Sequence, residues 1–341
     1  MLGQHSQPAE MQLAAGRSTD YGRLPLDPRA ALAWAWRANR PLTLLGMLML
    51  LALGASLVGL VVDPRAIAGA PAWLKPFKFA LSIVLYSFTL LWMLRFVQGR
   101  RFLVRLVSVV SLLAFLVEIA VIATQALRGT TSHFNVGTQL DAALFSIMGM
   151  FVVLIWAMNL VAAVLLLLQR LPDPAFAWAL RLGLLIALLG TAVGFLMTRP
   201  TPEQGAAMAA GARPAVIGAH SVGVADGGPG LPIVGWSTTG GDLRVGHFVG
   251  MHALQLMPIV GWLLARRRAR RLGDARRLAL TWIAGLGYLG LTALVVWQAL
   301  RGQPLLAPDG LTLAALAGLI GAVALAAGAA LTLGRRVQPG S

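Results

Sequence analysis

The stretch FLVRLVSVVSLLAFLVEIAVIATQAL, Phe102 to Leu127, decides the fold. It carries one arginine near its start, one glutamate within and one glutamine near its end, and is otherwise apolar or small. At 1.5 Å per residue it is long enough to cross the roughly 30 Å of a bilayer's hydrocarbon core. It lacks the period-2 alternation of a barrel strand, and an open sheet cannot cross lipid, so the pattern predicts a transmembrane helix.

Seven further runs of this kind occur: Leu42 to Val62, Phe77 to Val97, Ala142 to Leu168, Trp178 to Met197, His247 to Ala265, Leu278 to Ala299 and Leu311 to Leu333. The expected fold is therefore all-α, a polytopic transmembrane bundle of about eight spans. With 341 residues, 58% of them hydrophobic and 12% charged, the chain belongs to the membrane class. Five segments are expected: an N-terminal arm over 1–41, spans one to five over 42–198, a long periplasmic loop over 199–246, spans six to eight over 247–333, and a tail over 334–341.

The 28 basic residues orient this bundle. With alternate connections assigned to the cytoplasm, twenty fall on that side and eight on the other. The inner group includes Arg95, Arg100, Arg101 and Arg105, seven arginines between Arg266 and Arg277, and Arg335 and Arg336 of the tail. The asymmetry follows the positive-inside rule and predicts both termini in the cytoplasm of a bacterial-type inner (plasma) membrane. The net charge of +16 is thus read as a topology signal, with no nucleic-acid partner expected. The lipid bilayer is the expected partner. The Arg266 to Arg277 run is a solvated determinant that is also suited to anionic lipid.

The arm, with His5, Pro8, Arg17 and Arg23, is too long for the n-region of a cleaved signal peptide and is expected to be retained and partly disordered. Trp34 and Trp36 beside Arg37 and Arg40 predict a short interfacial helix. The Gly-, Pro- and Ala-rich stretch from Arg199 to Val245 exceeds an ordinary connection and reads as a lid, a plug or disorder. Its Gly227-Gly228-Pro229-Gly230 and Thr238-Thr239-Gly240-Gly241 fragments are turn chemistry, lacking the lysine and strand-to-helix setting of a phosphate loop. No internal repeat is visible.

Polar side chains at membrane depth are expensive, so their helical stripes select candidate sites. In the third span Ser111, Glu118 and Gln125 recur every seven residues, within about 40° on the helix wheel. Glu118 lies roughly 13 Å from the periplasmic end of the span. Hydrocarbon favours a neutral carboxyl, so it serves either as a protonated donor tying two helices or as a proton-transfer, ligating or substrate-contacting group. In the second span Lys75, Lys78, Ser82, Tyr86 and Thr89 fall within about 80°. Those lysines either snorkel to the interface or attract an anionic headgroup or substrate.

The sixth span opens with His247, Met251, His252 and Gln255, then Pro258. The five-residue spacing of the histidines differs from the i, i+4 pair of a zinc-protease helix, but one broad arc carries all four groups. Pro258 frees a backbone carbonyl and either bends the helix around a cavity or accommodates packing. His133, His220, His247 and His252 all fall in the periplasmic half, where Glu118, Gln125, His133, Asn135 and Asp141 are expected to converge. By contrast, Ala314, Gly321 and Gly328 in the eighth span, and Gly285, Gly287 and Gly290 in the seventh, read as helix-packing seams.

With no cysteine, disulfides, thiolate metal sites and Cys nucleophiles are excluded. Imidazole is the commonest metal ligand, which favours a membrane enzyme or redox protein holding a divalent metal or haem near the periplasmic face. Its expected metal ligands are His133, His247 and His252. Cofactor contact falls to His252 and His247, acid–base work to Glu118 and Asp141, and a substrate pocket to Lys78, Ser82, Tyr86, Gln125, Asn135 and Gln255. Two alternatives stand beside it: a proton-coupled small-solute transporter using Glu118, and a scaffold or assembly factor whose polar groups only bind helices together.

Overall fold

The structure, a computed structural model, describes Pro25 and residues 27–332. Most of the N-terminal arm, with His5, Pro8, Arg17 and Arg23, and the tail with Arg335 and Arg336 lie outside the described residues.

The chain is an all-α multi-pass membrane protein, and eight of its described helices are long and apolar enough to cross a bilayer. A short helix, α1 (Pro28–Ala38), precedes the first span, α2 (Arg40–Val62). A two-residue hairpin, β1 (Ala66–Ile67) with β2 (Ala70–Pro71), then leads into α3 (Leu74–Leu94), α4 (Arg101–Leu127), α5 (Gln139–Leu167) and α6 (Pro174–Met197). The connection after α6 holds α7 (Pro202–Ala209) and the paired β3 (Ser221–Val222) and β4 (Gly241–Asp242). Then come α8 (Leu243–Ala265), the single turn α9 (Arg267–Arg270), α10 (Asp274–Leu300) and α11 (Gly310–Thr332).

The predicted interfacial helix is α1. Asp27 caps it by accepting from the backbone N–H groups of Arg29 and Ala30, and Pro28 occupies the first turn, where a missing N–H costs nothing. Asn39 makes the corner into α2: its Oδ1 accepts from the Leu42 N–H at 3.2 Å and its amide donates to Ser108 of α4 at 2.7 Å.

The spans form two four-helix groups, α2 to α5 and α6, α8, α10 and α11. A core of Leu42, Leu45, Met49, Ile83, Leu90 and Val107 holds the first group. A second core, with Met93, Leu166, Phe176, Leu180 and Leu254, joins the groups through α3, α5, α6 and α8. In the second group α6 and α8 run antiparallel in close contact, and a Cβ on Gly190 would lie 2.5 Å from the Cα of Gly250. No side chain fits between those backbones. Buried Pro258 packs beside Gly183 in the same interface, so it serves close packing.

The expected seam of α10 is real: Gly285 meets Leu182, and Gly287 and Gly290 receive Val323 and Leu319 of α11. The expected seam of α11 is not. Gly321 and Gly328 have no heavy atom within 4 Å of where a Cβ would stand, because α11 meets α10 through its larger side chains. The Arg266 to Arg277 run also divides. Arg266, Arg268, Arg270 and Arg271 are exposed, whereas Arg277 is 3% exposed, ion-paired with Asp173 and hydrogen-bonded to the Leu264 carbonyl at 2.7 Å. Arg277 therefore fastens α6, α8 and α10 together at the arginine-rich end.

At the opposite end the long connection between α6 and α8 is an ordered cap. Thr201 and Gln204 form a capping box on α7, and the Gln204 amide also bonds both backbone groups of Gly218. The Ala219 N–H donates to the Met197 carbonyl, and Asn135 bridges Val216. Lys78 donates to the carbonyls of Ile233 and Val234, tying α3 to the cap. The cap thus spans both helix groups.

Candidate functional site

The groups expected to converge around α4 and α5 separate into a structural knot and a titratable cluster. In the knot the Asp141 carboxylate accepts from Gln125 at 2.8 Å, Arg128 at 2.6 Å and Thr138 at 2.7 Å, while Thr138 caps the Asp141 N–H. Asn135 donates to Thr130 and Thr131 and accepts from the Gly137 N–H. Asp141, Gln125 and Asn135 are thereby committed to holding the α4–α5 turn.

Glu118 is placed differently. It is 2% exposed, faces the interior from α4, and neither carboxyl oxygen has a hydrogen-bond partner. The expectation that Glu118 donates a hydrogen bond between helices is therefore not what the geometry shows. Lys75, in the first turn of α3, is the basic group whose field reaches Glu118, with no ion pair between them.

Lys75 also reaches His133. Its ammonium lies 3.1 Å from His133 Nδ1, with the Ser132 hydroxyl at the same distance from that atom. An ammonium has no lone pair, so Nδ1 accepts and the imidazole carries its proton on Nε2. Burial, then the charges of Lys75 and the neighbouring His220 and His247, hold the His133 pKa well below the usual histidine value. The ring packs against Phe79, Phe134 and Phe145.

His220 joins the cluster from the cap. Its Nδ1 lies 2.9 Å from the Asp226 carboxylate, which also accepts from the backbone N–H groups of His220 and Ser221. Burial lowers the His220 pKa more than the Asp226 bond raises it. Burial would push Asp226 up, but the bonds from the His220 ring and the backbone outweigh it and hold the carboxyl below its usual range.

Phe134 stands beside both imidazoles, with its ring 4.8 Å from that of His220. Its φ of 64° is a left-handed conformation that a bulky side chain rarely adopts. The Ile217 N–H, donating to its carbonyl at 2.9 Å, helps hold it there. Sequence reasoning placed His220 with the other periplasmic-half histidines but gave it no specific role, and missed Asp226. Their signal is weak, because five residues separate them and only the fold closes the pair.

From α8, His247 donates through Nδ1 to the Gly190 carbonyl at 2.9 Å, and His252 does the same to the Phe248 carbonyl one turn back at 2.8 Å. Among the described residues no three His, Asp or Glu side chains are placed to hold a metal ion. The reason is local: His133 presents Nδ1 to a lysine ammonium, and the His247 and His252 side chains are turned to separate carbonyls. This donor set does not fit the expected metal centre.

The remaining candidates are spread along α3. Lys78 is held by the cap, Ser82 is half-buried below it, and the Tyr86 hydroxyl donates to Asn159 of α5 at 3.2 Å. Gln255 donates to Thr89 at 3.4 Å, joining the stripes of the second and sixth spans where α3 meets α8. Beside the cluster Arg244 is paired with Asp242, which is 2% exposed and caps α8. No protein-family model, curated protein or solved structure matches the chain, so the cluster's own chemistry carries the functional reading.

Proposed function

We propose that the protein is a proton-coupled carrier of a small solute in a bacterial-type inner membrane, with both termini cytoplasmic, the cap periplasmic and Glu118 as the titrating group. The observation that carries this reading is the carboxyl of Glu118, buried at membrane depth with both oxygens unpartnered. A buried polar group left without its hydrogen bond costs about 1–3 kcal/mol, and more if ionised. A residue kept only to tie helices would make that bond. A residue that must gain and lose a proton, or meet a solute that comes and goes, would leave it open.

The surroundings support transport over the other readings. The two helix groups meet chiefly where α5 packs on α6, with α3 touching α8 at the Thr89–Gln255 contact, and a folded cap covers one end. A metal enzyme would need a third converging donor, and a scaffold would need no unpartnered acid. In this orientation the exposed arginines of the α8–α10 connection, with Arg266 over the Trp262 ring at 3.6 Å, face anionic headgroups on the cytoplasmic side.

The test is a pH titration followed by infrared difference spectroscopy on the purified protein. The wild type should show a titrating carboxyl band from an apolar environment that is missing in Glu118→Gln. Identical spectra across the titration would remove Glu118 from proton transfer.

A further inference from the structure

Four of the cations at the capped end are matched to carboxylates. Arg65 pairs with Asp63, Arg128 with Asp141, Arg244 with Asp242 and Arg301 with Asp309. Arg199 and Arg213 are exposed to solvent. Lys75 and Lys78 are half-buried, lie one turn apart on α3, and among the described residues neither forms an ion pair. Like charges so close repel, and partial burial removes the water that would screen them.

Their hydrogen bonds leave capacity for a ligand. Each ammonium has three donors; that of Lys75 reaches His133 Nδ1, and that of Lys78 reaches two cap carbonyls. His133, neutral, accepts from Lys75 through Nδ1 and holds that ammonium in place without answering its charge. The missing counterpart is a small anion with several acceptor oxygens.

Resting on the carrier reading above, we propose that Lys75, Lys78 and His133 bind one small oxyanion, a carboxylate or phosphate, and that it binds together with one proton on Glu118. Charge balance sets the stoichiometry. When Glu118 is ionised and the site empty, its charge acts on Lys75 through the bundle interior, without an ion pair between them. When an anion takes that role, a second negative charge in the same low-dielectric space is costly, so Glu118 becomes neutral. For a monovalent anion, a carboxylate or dihydrogen phosphate, the step moves one proton to a Glu118 oxygen and one anion to Lys75, and the pair crosses without net charge.

The other charged groups around the site do not supply this balance. Lys78 shares α3 with Lys75, and His133 lies on the α4–α5 turn. From the cap, His220 is bonded to Asp226. From α8 come His247, bonded to Gly190, and Arg244, bonded to Asp242. Each carboxylate among them already holds a cation or an imidazole.

The test is isothermal titration of sodium acetate and of inorganic phosphate into the full chain in phosphate-free, lipid-depleted detergent. Saturable binding of at least one anion is expected, weakened about 10–100-fold by Lys75→Gln, as for loss of a charge-assisted hydrogen bond worth about 1.5–3 kcal/mol. Lys75→Arg should retain binding, and Lys78→Gln should weaken it, so a misfolded Lys75→Gln sample does not decide the matter. Wild-type affinity should fall as pH rises, while Glu118→Gln should bind with little pH dependence. Absence of saturable binding with Glu118 titration intact overturns the anion site alone. Binding that is pH-independent in the wild type overturns proton coupling and the carrier reading with it. Displacement of bound phosphate by phosphatidylglycerol micelles assigns the site to a lipid headgroup and overturns symport.

Discussion

Replacing Glu118 with methionine should stabilise the protein while abolishing its function. The side chain is 2% exposed and neither oxygen is hydrogen-bonded, so a neutral carboxyl there leaves its donor and acceptors unmet. Methionine has a similar length and fills irregular space, so it removes that penalty without opening a cavity. The expected gain is about 1–3 kcal/mol, the cost of an unmade buried hydrogen bond. It should appear in acid, where Glu118 carries its proton. In alkali, Glu118→Met also removes the charge that answers Lys75, and the gain should shrink or vanish. Glu118→Gln is the control, since its amide leaves equivalent groups unmet and should change stability little. Reversible unfolding in mixed micelles, titrated with a denaturing detergent, measures all three. A loss of 1 kcal/mol or more in acid for Glu118→Met, at about the threshold of one ordinary hydrogen bond, would refute the reasoning.

The Arg277–Asp173 pair should behave in the opposite way. Arg277→Met leaves a buried carboxylate uncompensated and should cost about 3–5 kcal/mol, with Asp173→Asn/Arg277→Met recovering most of it, as a double-mutant cycle in unfolding will report. The cap should weaken on acidification. His133 and His220 have lowered pKa values when folded, so the uncapped form binds more protons, and stability falls as pH drops below about 6.5 toward those lowered values. Asp226, lowered as well, keeps its contribution until far more acid pH and does not act in that window. Amide exchange at Ile217 and Gly218, corrected for intrinsic rates, should speed up in mild acid for the wild type, and a flat response would contradict the assignment. Because the native chain has no cysteine, Arg268→Cys and Ala212→Cys report orientation cleanly. Impermeant reagent should label position 212 from the periplasm and spare position 268, and the reverse labelling would invert the topology.

The spans were legible because hydrophobic length is a local property. The reading of Ala142 to Leu168, Trp178 to Met197 and His247 to Ala265 agrees closely with α5, α6 and α8 at their C-terminal ends but starts a few residues late. The reason is that Thr138, Asp173 and Asp242 cap these helices in polar surroundings, so each helix begins before its apolar run. What depends on distant partners was not legible. Gly190 and Gly250 are sixty residues apart, and neither shows by itself that the other lies against it. The cap's glycines look like disorder until Gln204, Asn135 and Lys78 are seen to bind its backbone. The sequence assigns acid–base work alike to Asp141, at the start of a span, and to Glu118, well inside one. Only their neighbours distinguish a carboxylate with three donors from a carboxyl with none.

The most direct test of the central claim is proton movement in sealed vesicles. Purified protein is reconstituted around a trapped pH-sensitive dye, and inorganic phosphate is added outside at mildly acid pH, where its monovalent form predominates, with no imposed voltage. The account predicts acidification of the lumen that follows the added anion, is unaffected by clamping the membrane potential, and is lost in Glu118→Gln. Anion-dependent acidification at the wild-type rate in Glu118→Gln would contradict it.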